Sequence, residues 1–280
     1  MALIHKAAGL KGYLDALNYV EPHERTCVSL VRRILDHADG VYTIKDGALV
    51  KGAFFFKNDE MLFPSLYDCD DSCLKELAAF LKSKKLFCVS GEETSVEKIR
   101  QITLANKRPP LRERREYFLY SYSDTALGDA AVAALPDGVA IDRAEDGDME
   151  QLAELQMDYI TEEVALKGNP VNPNSEKRKM QEAVKKQIVI VARNGGEIVA
   201  KAQTNAIGLL NIQLGGVFTK TDWRKRGLAG ALTAFLAQSV RQKQMGTVLF
   251  VGKNNTSAIH AYARAGFKDT GKGYLIDYYD

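Results

Sequence analysis

Apolar residues recur at two spacings in the first 123 residues, and each spacing predicts a different type of element. Spacings of three and four residues, with Val28, Val31 and Ile34 on one face, are typical of amphipathic helices. Short apolar runs between turn signals are typical of strands. The predicted helices span 11–18, 23–38, about 70–84, and 94–104 with Thr94 and Ser95 as caps. The predicted strands are an antiparallel three-stranded meander within 41–68, with turns at 45–47 and 57–59, a strand at 86–90 and a strand at 117–123.

The second half of the chain has the same two spacings with clearer boundaries. Its predicted helices span 146–164, about 175–187, about 224–243 and 254–265. Its predicted strands span 139–144, 188–193, 197–207, 210–219 and 247–252, and the segment 267–279 is β-rich. Elements in this order are typical of an α+β fold built on one mixed sheet.

The segment 124–140 separates the two halves. Its residues are small, it holds no aromatic side chain, and Gly128, Pro136 and Gly138 interrupt it. A chain of 280 residues is long enough for about two domains. We therefore expect an N-terminal α+β domain at 1–125, a linker at 126–138 and a second domain at 139–280.

Charge argues against a nucleic-acid-binding protein, because 38 Lys and Arg nearly balance 36 Asp and Glu. A local basic run at 107–115 is best interpreted as a solvated loop before an edge strand, with a phosphate-binding patch as the less favoured interpretation. The chain has no run of 18 apolar residues and no signal peptide at its start, so neither a membrane span nor secretion is predicted. A reducing cytoplasm is the expected compartment.

The four cysteines are too few and too irregularly spaced for a disulfide framework. Cys69 and Cys73 would share one helical face, but no histidine is near them in sequence. A tetrahedral zinc site is therefore not expected, and we interpret the cysteines as reduced structural thiols.

A candidate anion site lies where the strand at 210–219 runs through a glycine-containing turn into an apolar helix. Free backbone N–H groups and the positive end of the helix dipole favour anions at such a start. Arg224, Lys225 and Arg226 add positive charge, while Gly227, Ala229 and Gly230 keep the backbone accessible. A diphosphate suits this arrangement. The turn lacks the Gly-Lys-Ser/Thr end of a P-loop and the register of a dinucleotide fingerprint; a helix that simply packs closely through small residues is the structural alternative.

This turn and a second motif together resemble the GNAT superfamily of acyl-coenzyme A-dependent N-acyltransferases. Residues 224–229 match its Arg/Gln-x-x-Gly-x-Gly/Ala signature. About thirty residues later, the segment from Asn255 to Phe267 is similar to its Asn-x-x-Ala-hydrophobic-x-x-Tyr-x-x-x-Gly-Phe segment. The resemblance covers 139–280 and implies a mixed, mostly antiparallel sheet flanked by helices. The smaller N-terminal domain could be a degenerate GNAT-like copy; it has no such turn and is not expected to bind coenzyme A.

The resemblance implies acetyl-CoA as cosubstrate and assigns roles to particular residues. Backbone amides from Lys225 to Gly230 would hold the pyrophosphate, and Arg224 would shape the turn. The strand at 214–219 would splay from the strand at 247–252, so that its backbone pairs with the pantetheine arm and polarises the thioester carbonyl. The implied cofactor-binding residues are Val217, Phe218, Thr219, Arg224, Lys225, Arg226, Gly227, Leu228, Ala229, Gly230, Asn255 and Tyr262.

Tyr262 is the predicted general acid, because a phenol can protonate the departing thiolate. Packing of a helix onto the sheet is its structural alternative. No glutamate lies on the strand at 210–219, which carries Asn211 and Gln213 instead. The predicted base is therefore Glu162 or Glu163, and solvated carboxylates at a helix end are the alternative. His260, two residues before Tyr262, is predicted to lie at the surface.

The function expected from these features is N-acetyltransfer from acetyl-CoA to a small-molecule or peptide primary amine by direct attack in a ternary complex, without a metal. The alternative is a non-catalytic acyl-CoA-binding sensor or scaffold. The residues leave the identity of the amine open.

Overall fold

The protein is described by a computed structural model that covers residues 2–57, 60–105, 110–241 and 243–280. Twelve strands of this described part form one continuous mixed sheet. The strands are β1 (Ala2–Lys6), β2 (Val41–Asp46), β3 (Leu49–Lys57), β4 (Met61–Ser65), β5 (Cys88–Glu92), β6 (Leu111–Tyr122), β7 (Val139–Arg143), β8 (Val189–Asn194), β9 (Glu197–Ile207), β10 (Asn211–Thr219), β11 (Gly246–Gly252) and β12 (Phe267–Tyr279).

Helices cover both faces of the sheet. They are α1 (Gly9–Val20), α2 (Glu24–Leu35), α3 (Asp71–Lys82), α4 (Glu93–Ala105), α5 (Thr125–Ala133), α6 (Met149–Tyr159), α7 (Pro173–Lys186), α8 (Leu228–Arg241) and α9 (Thr256–Arg264). A π-helical turn, Ile160–Val164, continues α6. Among the described residues, no helix combines the length and apolar character needed to cross a membrane.

The strand order shows an internal repeat that the sequence does not reveal by similarity. From one edge the order is β1-β2-β3-β4-β5-β12-β6-β11-β10-β9-β8-β7, so β1–β5 and β7–β11 approach the centre in the same order from opposite sides. Within each half one adjacent pair is parallel, β4 with β5 and β10 with β11. The prediction that the N-terminal half copies the C-terminal fold is confirmed.

The two halves exchange their last strands at the centre of the sheet. β12 pairs with β5 of the first half, and β6 pairs with β11 of the second half, while β6 and β12 pair with each other. The cores reflect this exchange. Leu275 and Tyr279 of β12 pack in the N-terminal core, whereas Tyr120 of β6 packs in the C-terminal core. Each half therefore needs a strand from the other to complete its sheet.

Helix α2 also joins the halves. The buried carboxylate of Glu24 accepts hydrogen bonds from the backbone N–H groups of Leu210 and Asn211 at 3.0 Å. Hydrogen bonds to charged groups contribute about 1.5–3 kcal/mol each. Ser29 of α2 donates to Gln213 at 3.1 Å. Asn211 and Gln213, at the start of β10, therefore contact the N-terminal half, away from the open end of the strand.

Most predicted elements are confirmed, but four predictions differ from the structure. β1 was not predicted, α8 begins four residues later than expected, and the predicted linker 126–138 contains most of α5. The expectation of a solvated loop before an edge strand is wrong for the described part of the basic run. That part lies in β6, at the centre of the sheet. Lys107, Arg108 and the turn residues 58 and 59 lie outside the described residues.

The arginines of β6 are held by protein partners. Arg114 binds Asp277 of β12 through two nitrogens at 2.7 and 2.8 Å, and it also contacts Glu97. Arg115 donates to backbone carbonyls of the π-helical turn, including that of Val164 at 2.8 Å. These contacts explain why a basic run occupies a central strand, because each guanidinium has carboxylate or carbonyl acceptors.

Candidate functional site

The candidate site begins where β10 and β11 separate. Their parallel pairing runs from Asn211 opposite Gly246 to Leu214 opposite Leu249, and no described pair continues it. β10 continues to Thr219 and β11 to Gly252. The opening predicted from the sequence is therefore present, and it leaves one backbone edge of β10 without a neighbouring strand.

A β-bulge interrupts β10 at the start of this opening. Gly215 lies opposite Gln203 and Phe218 opposite Lys201, so Gly216 and Val217 have no partner residue in β9. Gly216 has φ +56°, and a Cβ there would approach the Gln203 side chain to 2.9 Å. Glycine is required at this position because both the backbone conformation and the available space exclude a side chain.

The strand register decides which backbone groups face the opening. The N–H of Lys220 bonds to Val199 of β9, so by alternation the backbone of Phe218 also faces β9. Val217 and Thr219 face the opening instead. Phe218 was predicted to offer its backbone to the cofactor, and this part of the prediction disagrees with the register.

The turn after β10 gathers backbone N–H groups at the mouth of the opening. Lys225 and Gly227 have φ of +62° and +80°, while Arg224 between strand and turn is extended. Left-handed residues alternating with other conformations direct successive N–H groups toward one point, which forms an anion-binding concavity. α8 begins immediately afterwards at Leu228, so its free N–H groups and its dipole act at the same point.

The side chain of Arg224 holds this turn in place. It donates to the Thr219 carbonyl at 3.1 Å and to the Glu162 carboxylate at 2.5 Å, and its guanidinium lies 5.4 Å from the Phe218 ring centroid. Arg226 stacks over Trp223 and donates to the Asp222 carbonyl. These contacts connect the turn to the end of β10 and to the π-helical turn after α6.

Close packing of α8 against α9 explains why position 230 of this turn is a glycine. A Cβ at Gly230 would lie 3.1 Å from the Ala261 carbonyl and 3.6 Å from the Ala265 side chain. Gly230 is buried and lets α8 approach α9 closely. Gly227 is different, since nothing lies within 4 Å of a Cβ there. The open space at Gly227 is the place where an anion can approach the backbone.

Asn255 and Tyr262 are both on α9. The Asn255 side chain accepts the Ala258 N–H at 3.0 Å and so caps the helix. Its amide NH₂ is the group left to contact a ligand. Tyr262 is buried among core residues with its ring 6.2 Å from that of Phe267. Burial, with smaller contributions from Tyr159 and Glu163, raises the pKa of the Tyr262 hydroxyl, which keeps its proton at neutral pH.

A cleft of about 290 Å³ adjoins the bulge on the α6 side of the sheet. The Oε1 atoms of Gln156 and Gln203 are buried, and neither has a hydrogen-bond partner within the part of the chain that the structure describes. Gln156 donates through its NH₂ group to the buried Glu176 carboxylate at 3.4 Å, which fixes its amide orientation. The lining residues are Gln156, Tyr159, Ile160, Val164, Glu176, Lys179, Met180, Ala183, Gln203, Asn205 and Gly216.

The two candidate bases, Glu162 and Glu163, make different contacts. Glu162 is paired with Arg224 beside the turn that precedes α8. Glu163 lies close enough to Tyr159 and Tyr262 to raise the pKa of both hydroxyls. Tyr159, which sequence reasoning did not select, lines the cleft, and burial raises its pKa to about 12. His260 is exposed, as predicted.

Lys201 of β9 is a second residue that sequence reasoning missed. It is 0 % exposed, its ammonium donates to the Gly216 carbonyl at 2.9 Å, and it lies 4.8 Å from the Tyr159 ring centroid. Burial alone lowers its pKa to about 7. A lone lysine within the apolar strand sequence EIVAKA was the available signal.

The equivalent opening in the N-terminal half is filled by the protein's own side chains. β4 and β5 pair only at Met61–Cys88 and Leu62–Val89. The Lys98 ammonium donates to the carbonyls of Leu66 and Cys69 at 2.7 and 3.0 Å. The Asp70 carboxylate caps α3 where a phosphate would bind. Among the described residues, no cluster of His, Cys, Asp or Glu side chains could hold a metal ion.

Comparisons with known proteins agree with this geometry. Residues 190–276 match the family described as FR47-like protein. No curated protein sequence matches the chain. Solved structures give the fold. A Drosophila protein superposes with a TM-score of 0.69 at 13 % identity over 99 % of both chains. A tandem GNAT protein from the clavulanic acid biosynthesis pathway gives 0.64 at 12 % identity, over 99 % of this chain and 97 % of that one.

An acetyltransferase of the GNAT family from Colwellia psychrerythraea has the same architecture at greater distance. Its TM-score is 0.57 at 12 % identity, over 99 % of this chain and 98 % of that one. Both halves of the chain are covered in each of these superpositions. The chain therefore has the two-domain GNAT fold, and the residues that match the FR47-like family lie within its second half.

Proposed function

We propose that the protein is an N-acetyltransferase that moves the acetyl group of acetyl-CoA to a primary amine by direct attack in a ternary complex. The observation that carries the proposal is the open edge of β10, which leads directly to the anion-binding turn at the start of α8. An extended amide-bearing arm that ends in a diphosphate fits an unpaired strand edge followed by a cluster of N–H groups.

Acetyl-CoA would be held by backbone groups more than by side chains. The N–H groups from Lys225 to Gly230 would bind the pyrophosphate, and open space at Gly227 lets it approach. Val217 and Thr219 would pair with the pantetheine amides. The NH₂ group of Asn255 would contact the same arm, because its oxygen is occupied by the helix cap.

The acetyl transfer requires two proton movements. The amine nitrogen attacks the thioester carbon, and the carbonyl electron pair moves to oxygen, where the Val217 N–H can stabilise it. Collapse of this intermediate breaks the C–S bond and releases the thiolate. The Tyr262 hydroxyl is protonated at neutral pH, so it can donate a hydrogen bond to the departing sulfur and pass its proton on as the C–S bond breaks.

Glu163 is the better of the two candidate bases. Glu162 is held by Arg224, whereas Glu163 lies near both Tyr159 and Tyr262. Its carboxylate would take a proton from the ammonium form of the acceptor through a water molecule, which leaves the neutral amine that attacks the thioester. The cleft beside the bulge would hold the rest of the acceptor, whose N–H or O–H groups could donate to the amide oxygens of Gln156 and Gln203.

Acetyl-CoA binding followed by turnover tests the proposal. We expect calorimetry to show one acetyl-CoA site per chain, and we expect a panel of primary amines to include one that accelerates thiol release far above the hydrolysis rate. Binding without acceptor-dependent thiol release would favour a sensor or scaffold. The absence of binding would contradict the proposed anion site.

A further inference from the structure

Lys201 holds its ammonium group in an unusual position, because no carboxylate of the described residues binds it. It lies on β9, wholly buried, and its hydrogen-bond acceptor is the carbonyl of Gly216 in the bulge of β10. Burying an ammonium group is costly unless it is compensated. The π face of Tyr159 and the Gly216 carbonyl are the two groups that compensate it here.

One peptide group of the bulge, Gly216–Val217, lies between Lys201 and the open edge of β10. The chain has no cis peptide bond among its described residues. The carbonyl of a trans peptide points opposite to its N–H. Since the Gly216 carbonyl points to Lys201, the Val217 N–H of that same peptide points away from β9, toward the opening. Polarising a carbonyl makes its own peptide N–H a stronger donor.

We infer that Lys201 is a positioning residue for acyl transfer: its ammonium holds and polarises the Gly216–Val217 peptide, whose N–H stabilises the oxyanion formed from the thioester. The inference rests on the proposed function. It assigns Lys201 no proton transfer, because the ammonium is buried behind the bulge and bonded to Gly216. The bond that changes is still the thioester C–S bond, and its electron pair still leaves with sulfur.

The charge on Lys201 makes this effect depend on pH. With a pKa of about 7, the side chain is an ammonium in mild acid and a neutral amine in mild base. Tyr159 faces it from α6, and Gly216 and Phe218 face it from β10. The other ionisable groups on the elements packed against β9 are Glu150, Glu154 and Asp158 of α6, Arg193 of β8, Arg241 of α8, and Glu24, Arg25, Arg32 and Arg33 of α2, with Glu162 and Glu163 in the π-helical turn that continues α6. None of them contributes to the shift, which comes from burial.

Lys201→Met tests the inference because methionine keeps the length and removes the charge. We expect kcat to fall about tenfold at pH 6, which is less than the 10²–10³-fold cost of removing an oxyanion donor itself. KM for acetyl-CoA should change less than twofold. The ratio of wild-type to variant kcat should approach one by pH 9, as the wild-type ammonium loses its proton. A merely structural lysine would give a ratio that does not vary with pH.

Lys98→Met is the matched control. Lys98 also donates to backbone carbonyls, but it does so in the filled opening of the N-terminal half. We expect this variant to lower the melting temperature and to leave kcat at the wild-type value at every pH. An equal, pH-independent loss of kcat in both variants would show that Lys201 acts only on stability.

Infrared spectroscopy separates this inference from the proposed function, because it needs acetyl-CoA binding but no acceptor. We expect the carbonyl stretch of bound [1-¹³C]acetyl-CoA at pH 6 to lie at lower frequency in the wild type than in Lys201→Met. Equal frequencies with normal binding would overturn the inference and leave the acetyltransferase proposal intact. Failure of the wild-type protein to bind acetyl-CoA would overturn both.

Discussion

Removing the hydroxyl oxygen of Tyr262 tests whether this residue acts as the general acid. Its ring packs against Phe267, and its hydroxyl has burial as the main influence on its pKa. Tyr262→Phe keeps the ring, so the fold and acetyl-CoA affinity should be preserved. We expect kcat to fall about 10²-fold, within the range for general acid catalysis. The kcat and the melting temperature should be measured on one preparation.

A Tyr262→Phe protein with normal kcat and a lowered melting temperature would contradict the acid role. Tyr120→Phe offers a control from the same core, because Tyr120 lies on β6 and also packs in the C-terminal cluster. It should leave turnover per folded molecule unchanged.

Lys201 should also make stability depend on pH. Its folded pKa of about 7 lies below the ordinary value of 10.5, so between these values the unfolded chain binds more protons. The free energy of unfolding must then rise with pH across this window. Lowering the Lys201 pKa from 10.5 to about 7 corresponds to a loss of at most about 5 kcal/mol in the free energy of unfolding at low pH. Lys201→Met should therefore stabilise the protein most below pH 7, and least above pH 10.

Urea unfolding of the wild type and Lys201→Met at pH 6, 8 and 10 measures this difference. The loss of the Gly216 hydrogen bond offsets part of the gain at every pH, so the trend with pH is the informative quantity. A difference that stays constant from pH 6 to 10 would mean that Lys201 titrates normally.

At the scale of an element, the turn before α8 should bind anions through its backbone. Gly227→Ala introduces a left-handed alanine at a cost of about 1–2 kcal/mol and meets open space. Gly227→Glu adds the same backbone cost and a negative charge where the diphosphate should bind. We expect the glutamate variant to lose at least tenfold more acetyl-CoA affinity than the alanine variant, as measured by calorimetry.

The comparison between these two variants isolates charge from backbone strain. Equal affinities for acetyl-CoA in folded Gly227→Ala and Gly227→Glu proteins would place the anion site elsewhere. Raising the salt concentration should weaken binding to the wild type, since the ligand is anionic and Arg224, Lys225 and Arg226 are exposed.

At the scale of the molecule, strand exchange ties the two halves together. Residues 135–280 without β6 would leave β11 as an exposed central edge and would remove Tyr120 from the core. We expect this fragment to aggregate or to stay partly unfolded when it is expressed alone. Coexpression with residues 1–134 should restore a soluble complex, as judged by size-exclusion chromatography and circular dichroism. A monomeric 135–280 fragment that unfolds cooperatively would contradict this expectation.

The arrangement of the halves could be predicted only in part. The meander at β2–β4 and the helices followed from local spacing, because turn residues and apolar periodicity act within a few positions. The strands that pair with β6 could not be predicted from local spacing. Its arginines suggested a solvent-exposed edge, since only the folded chain brings Asp277 and the carbonyls of 163–165 to them.

The sequence by itself determined most of the elements, the glycine turn at 224–230 and the second motif on α9, because each depends on residues close together in the chain. The tertiary structure alone decided that β6 and β12 exchange, that Glu162 pairs with Arg224, and that Lys201 is buried behind the bulge of β10. Strand partners, ion pairs and burial arise from residues distant in sequence, whose approach depends on the packing of the whole sheet.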